Sequence, residues 1–156
     1  QGSTDAGGFR RSSPSAGALY PIDLFAVVGR DTVEKVGAGL YLYESSSHTA
    51  TLLLEGDHRD ELAGAALSQF WMARSPLLLV VAAEFDRITG KYGTRGERYA
   101  VMEAGHIAQN IMLQAVALGL VSGIVGAFVD VEIQRILHLD RRVTPLVILP
   151  VGHPGR

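Results

Sequence analysis

Three groups of residues in this chain have the types and spacing to do chemistry. The first is Phe9-Arg10-Arg11-Ser12-Ser13-Pro14-Ser15-Ala16-Gly17-Ala18-Leu19-Tyr20-Pro21. Ser13 followed by Pro14 matches a helix N-cap with proline in the first helical position. The N–H groups at such an end are unpaired and carry partial positive charge. With Arg10 and Arg11 adjacent, the turn over 14–19 attracts an anion or an electron-rich heterocycle; the same residues would also serve as a capped turn leading into a strand. The second group is Lys91-Tyr92. A lysine held near other cations, or partly desolvated, gives up its proton more readily and can act as a base, and a neighbouring phenol can relay that proton. Arg87, Arg95 and Arg98 supply the cations if they converge; otherwise the stretch is a solvated basic loop.

The third group is Glu103, His106, Asn110 and Gln114, three to four residues apart and so one polar stripe on a helix. Glu103-x-x-His106 is half of a di-iron carboxylate pattern, but no second copy follows and the other histidines lack ligand spacing, so no metal site is expected. The stripe is expected to meet a partner chain before a ligand or another helix. Phosphate-loop, dinucleotide and nucleophile-elbow patterns are absent from the sequence.

The elements that must position these residues follow from periodicity. A helix over 98–118 is apolar on nearly every side, which predicts burial, with Thr94 and Glu97 as a capping box and Gly119 as a left-handed cap. Its alanines and Gly105 allow close approach of neighbours. The connection 122–127 is short-chained and open to a ligand. Strands are expected at 22–28, 40–44, 49–54, 76–85 and 144–151, about five in one sheet. A helix from an Asp57 N-cap through Met72 and a short one from Asp130 to about Leu137 complete the set, with 86–97 as a loop. The fold class is α+β, helices packed on a small sheet.

Composition sets the outer bounds. A chain of 156 residues with 47% hydrophobic and 19% charged residues reads as one globular domain. A net charge of −2 gives no reason to expect nucleic acid or a membrane surface as partner. The longest apolar run, 77–83, is far short of the roughly 20 residues that span a bilayer. The absence of cysteine excludes disulfides and thiol chemistry and fits a cytoplasmic setting.

The pieces, in this order, resemble the flavin-dependent nitroreductase superfamily, and within it the SagB-type dehydrogenases and thiazoline/oxazoline oxidases. The signposts are Gln1-Gly2, Arg11 with Pro14-Ser15-Ala16-Gly17-Ala18-Leu19-Tyr20-Pro21, Gly39-Leu40-Tyr41-Leu42-Tyr43, Lys91-Tyr92-Gly93-x-Arg95, Glu103-Ala104-Gly105-His106-x-x-Gln109-Asn110, Ala117-Leu118-Gly119-Leu120, Gly126-Ala127-Phe128 and Pro150-Val151-Gly152. The resemblance implies a sandwich with a mostly antiparallel sheet, a homodimer through the long central helix, and FMN at the dimer interface. Pro14, Ser15, Ala16 and Leu19 would lie against the isoalloxazine, and Ile124, Val125, Gly126 and Ala127 would meet the ring with their backbone. Lys91 and Tyr92 correspond to the pair implicated in proton removal. The N-terminal helical segment and the C-terminal extension of the family do not match anything here, which leaves the phosphate to Arg10, Arg11 or Arg156. Two enzymatic readings follow: azoline oxidation on a peptide, or NAD(P)H-driven reduction of a nitro- or quinone-type acceptor. A non-catalytic homodimeric flavin-binding or structural domain is the alternative.

Overall fold

The computed structural model describes residues 11–155; Arg10, Arg156 and the Gln1-Gly2 signpost lie outside them. A six-stranded sheet organises the chain, with every pair antiparallel and the order β3-β2-β1-β4-β6-β5. Its strands are β1 (Ile22–Val28), β2 (Gly39–Glu44), β3 (Thr49–Glu55), β4 (Leu77–Glu84), β5 (Val121–Ser122) and β6 (Val143–Gly152). The middle strands β1 and β4 are the runs with almost no polar interruption, because both of their faces are covered. β6 carries two prolines inside its span. Pro145 falls beside a register shift in the β4 pairing, the kind of irregularity where a missing N–H is tolerated. The sixth strand, β5, is two residues long and too short to leave a periodic signal.

Four helices flank the sheet: α1 (Arg59–Ala65), α2 (Asp86–Tyr92), α3 (Arg95–Ala117) and α4 (Asp130–Ile136). On one face α1 and α4 pack over Phe25, Val27, Leu78, Val80 and Ile148. On the other, α2 and α3 pack over Ile22, Val81, Ala83 and Leu149. The alternation of these numbers is the period-two geometry of a strand.

Several expectations are corrected. Residues 86–92 form α2, not a loop; Ile88 is fully buried against the α3 layer, and that packing outweighs the helix cost of the exposed Gly90. The helix expected through Met72 stops at Ala65, because Leu67 and Ser68 turn left-handed, and only a 3-10 turn, Met72–Arg74, follows. The helical turn near the N-terminus is a 3-10 turn over Ala16–Ala18, and Ser13 does not cap it. Thr94 already has helical dihedrals and makes no side-chain cap bond, so the capping box is not formed. Asp130 is the first residue of α4, not its N-cap, and gives no cap bond. Helix α3 is buried on one side only: Val101, Met102, Leu113, Val116 and Leu118 are 46% to 71% exposed in the single chain. At its end Gly119 does take φ 72°, and the Leu120 N–H reaches the Ala115 carbonyl at 2.8 Å, the six-to-one bond of a Schellman cap. Among the described residues no helix is long and apolar enough to cross a membrane.

Candidate active site

The segment 11–20 crosses the α3 face and is tied down by side chains of that helix. Asn110 donates from Nδ2 to Ser13 Oγ at 2.9 Å and to the Ser12 carbonyl at 3.1 Å. Ser13, 2% exposed, is thus an anchor and not a helix cap. Further on, Ser15 Oγ accepts the Tyr20 N–H at 2.9 Å, which closes the segment on itself. The Arg11 guanidinium stacks 3.5 Å over the Tyr20 ring, a cation–π contact. Gly17, Ala18 and Tyr20 all have positive φ, at 62°, 55° and 48°. Two of these are side-chain-bearing residues in the left-handed region, a strain that folds retain mainly at functional sites.

Helix α2 delivers the second candidate pair to the same place. A Cβ on Gly17 would stand 2.7 Å from Tyr92 Oη and 3.0 Å from Lys91 Nζ. Tyr92 is held by an edge contact with Tyr99, centroids 5.3 Å apart, while Lys91 Nζ lies 5.3 Å from the Tyr92 ring centre. An amine and a phenol therefore converge on a strained, largely exposed turn, an arrangement able to move a proton at a ligand resting there. The expected crowd of arginines does not form. Arg87 makes a bidentate pair with Asp23 at 2.7 and 2.9 Å and a second pair with Glu84 at 2.7 Å. Those carboxylates neutralise it and raise its own pKa, chiefly through the Asp23 bonds. Arg95 sits 5.8 Å over the Tyr99 ring.

Pro14, Ser15, Ala16, Leu19, Lys91 and Tyr92 are thus brought together, with Arg11 beside them. Ile124, Val125, Gly126 and Ala127 are not. Val125 exchanges two backbone bonds with Ile148, at 2.8 and 2.9 Å, and belongs to the α1/α4 layer. The Ala127 carbonyl accepts from Gln69 Nε2 at 3.1 Å, which fixes the loop to that same layer. Ala16 and Leu19 pack in the α3 layer, so one chain holds the two halves on different faces. Between the C-terminal half of α3 and the sheet runs an open, mostly apolar groove of about 710 Å³ lined by Leu24, Leu79, Ile111, Leu113 and Leu118, with Asn110 at one margin.

Sequence reasoning missed Glu103 as a site residue. It does not face outward with His106. It is 3% exposed, and neither of its carboxyl oxygens completes a hydrogen bond among the described residues. Burial pushes its pKa up, and the nearby Ser15 hydroxyl and Arg11 charge offset that only in part. A signal was present: Glu103 shares its helix face with Ala100, Ala104, Ile107 and Ala108, all buried. Within the chain the stripe divides: Asn110 bonds the 11–20 segment, and Glu103 is buried on the helix face that carries the alanines.

A family model described as the Nitroreductase family matches residues 4–153. The nitroreductase-like protein MJ1384 of Methanocaldococcus jannaschii is 45% identical over 151 residues, 97% of this chain and 74% of that one. The microcin B17-processing protein McbC of Escherichia coli is 31% identical over 153 residues, 94% of this chain and 55% of that protein. A chain of the E. coli microcin synthetase McbBCD complex with truncated pro-MccB17 bound superposes with a TM-score of 0.83 at 29% identity, covering 99% of this chain and 60% of that one. The chain thus spans little more than half the length of McbC.

Proposed function

The chain belongs to the nitroreductase family of oxidoreductases, and from that premise we propose that it is an FMN-dependent oxidoreductase working as a homodimer. The observation that carries this is the meeting of Lys91 Nζ and Tyr92 Oη at Gly17. The residues fit a flat heteroaromatic group. Gly17 and Ala18 leave the turn exposed, Gly17 adds no side chain to its surface, and Arg11 supplies charge for an anionic tail. Pro14, Ser15, Ala16 and Leu19 would hold the ring and Arg11, with Arg10, the phosphate. Bound FMN would supply a two-electron centre that exchanges hydride with substrate.

The chain's own contribution is the proton. In substrate oxidation Lys91 removes a proton from the carbon next to the departing hydride, and Tyr92 passes protons between that amine and solvent. The exposed apolar side of α3 and the placement of 124–127 on the other layer support a dimer in which the turn of one copy and the loop of the second flank one ring. Likeness to McbC supports an azoline-bearing peptide as substrate. The higher identity to MJ1384 favours a second reading, NAD(P)H-driven reduction of a nitro- or quinone-type acceptor.

Lys91→Ala tests the assignment. Turnover of a thiazoline peptide should fall by about 10²- to 10⁴-fold, with FMN affinity unchanged by fluorescence quenching. Full turnover in the variant with FMN bound would defeat the base role.

A further inference from the structure

Helix α2 carries Lys91 and Tyr92 to the turn, yet little of it is held by apolar packing. It is seven residues long and has no side-chain cap, and a helix of that length is marginal by itself. Ile88 is its one buried residue, and Tyr92 leans edge-on against Tyr99. A short helix pinned at one side chain can roll about that pin, and Lys91 would swing with it. What stops the roll is polar. Arg87 stands four residues before Lys91, on the same side of the helix, and its guanidinium is gripped from two strands. Nη1 and Nη2 donate to the two carboxylate oxygens of Asp23 on β1, at 2.7 and 2.9 Å. Nε meets Glu84 Oε2 at the end of β4, at 2.7 Å, while Arg142 approaches the other Glu84 oxygen at 3.6 Å. The Asp23 and Glu84 side chains are only 22% and 17% exposed, so these bonds escape much of the screening that weakens a surface pair.

Both carboxylates sit at the stem of the turn. Asp23 follows Tyr20 by three residues, and Asp23 and Arg87 share a cleft of about 130 Å³ with Arg11 and Tyr20. The Glu84 N–H donates to the Pro21 carbonyl at 2.8 Å, so Glu84 holds the stem by its backbone and Arg87 by its side chain. A planar fork set between two such acceptors fixes direction as well as distance. With its positive charge flanked by two negative ones, Arg87 is not a source of positive field at Lys91. We propose that Arg87 is a positioning residue: clamped to Asp23 and Glu84, it fixes the roll of α2 against the stem of the turn and so keeps Lys91 Nζ and Tyr92 Oη at Gly17. The consequence for turnover rests on the reading of Lys91 as the base; the clamp itself does not.

Two measurements test this. The first needs no flavin: amide hydrogen exchange, read by mass spectrometry, over residues 86–93. Arg87→Met, which keeps the apolar stem and removes the fork, should speed exchange in α2 about tenfold or more while β1 and β4 stay as slow as in wild type. Arg87→Lys, a point charge that cannot grip both carboxylates in one plane, should fall between the two. If the methionine variant does not fold, because two carboxylates are left without their cation, the lysine variant carries the test. Wild-type exchange in the variants that fold would overturn the clamp.

The second is turnover of a thiazoline peptide by FMN-loaded enzyme. Arg87→Met should lower kcat about 10- to 100-fold, the cost of misplacing a catalytic group by about an ångström. KM and FMN affinity should stay within about twofold, because Asn110 and the Glu84 N–H still hold the turn. In a Lys91→Ala, Tyr92→Phe background the same substitution should change kcat by less than about twofold, since the pair it positions is gone. An equal loss in both backgrounds would make Arg87 a structural residue only and overturn the proposal. If Lys91→Ala alone keeps full turnover, the base reading falls instead, and exchange over 86–93 still decides the clamp.

Discussion

The two faces of the sheet are packed by different kinds of residue. Under α1 and α4 the core is made of large side chains without exposure: Leu40, Leu62, Met72, Leu78, Ile133, Leu137 and Ile148. Under α3 four of the nine buried core residues are alanine, at positions 83, 100, 104 and 108. Small residues bring α3 close to the sheet and leave its own large side chains pointing away. Two shielded carboxyls contrast as well. Asp57, beside α1, receives Arg59 Nε at 2.8 Å and Nη2 at 2.7 Å and the Arg30 N–H at 3.0 Å; the Arg59 bonds hold it well below the usual carboxylate range. Glu103, under α3, receives no completed bond among the described residues and is pushed the other way. Both sides carry left-handed residues and exposed apolar side chains; what sets the site face apart is its alanine packing and a buried acid without a completed bond among the described residues.

That contrast can be broken at its stable side first. Leu62→Ala should cost about 2–5 kcal/mol in denaturant unfolding, because the filled α1 layer has little room to collapse, while FMN affinity per folded molecule stays unchanged. A cost below about 1 kcal/mol would mean that this layer is looser than its burial implies. Asp57→Asn comes next, at about 1–2 kcal/mol near neutral pH once solvent screening is allowed for. A depressed folded pKa stabilises above the unfolded value and is lost as pH falls. The gap between Asp57→Asn and wild type should therefore narrow below about pH 4, and a gap independent of pH would sink the ion-pair explanation.

On the site face the effects on stability shrink and those on binding grow. Gly17→Ala places a Cβ at φ 62° against Tyr92 Oη and Lys91 Nζ. It should lower stability by about 1 kcal/mol and FMN affinity at least about tenfold, the consequence of moving the two groups off the turn. Unchanged affinity would show that the turn does not touch the ring. Val116→Lys should leave unfolding of the isolated chain within about 0.5 kcal/mol yet weaken self-association, read by sedimentation. A variant that associates as wild type does would place the dimer contact elsewhere.

Legibility in the sequence follows the same division. The strands β1, β4 and β6 stand out because burial on both faces favours runs rich in Leu, Val and Ile. Lys91, Tyr92 and the 14–19 turn could be singled out by type, although their convergence depends on α2. That helix is hidden by Gly90 and Gly93, and only the packing of Ile88 reveals it. The reading of α3 as buried all round fails because hydrophobicity does not say whether the covering surface belongs to the same chain. Glu103 was hidden for a different reason. Its spacing to His106 and Asn110 imitates a solvated stripe, and that spacing says nothing of the 11–20 segment, whose anchor Ser13 lies 97 positions from Asn110.

The central claim is that two copies enclose flavin between the turn of one and the loop of the other. Size-exclusion chromatography with light scattering, after incubation with FMN and with flavin absorbance recorded on the same peak, addresses it directly. The account predicts a peak of twice the chain mass carrying one flavin per chain. A colourless peak of single-chain mass would contradict it.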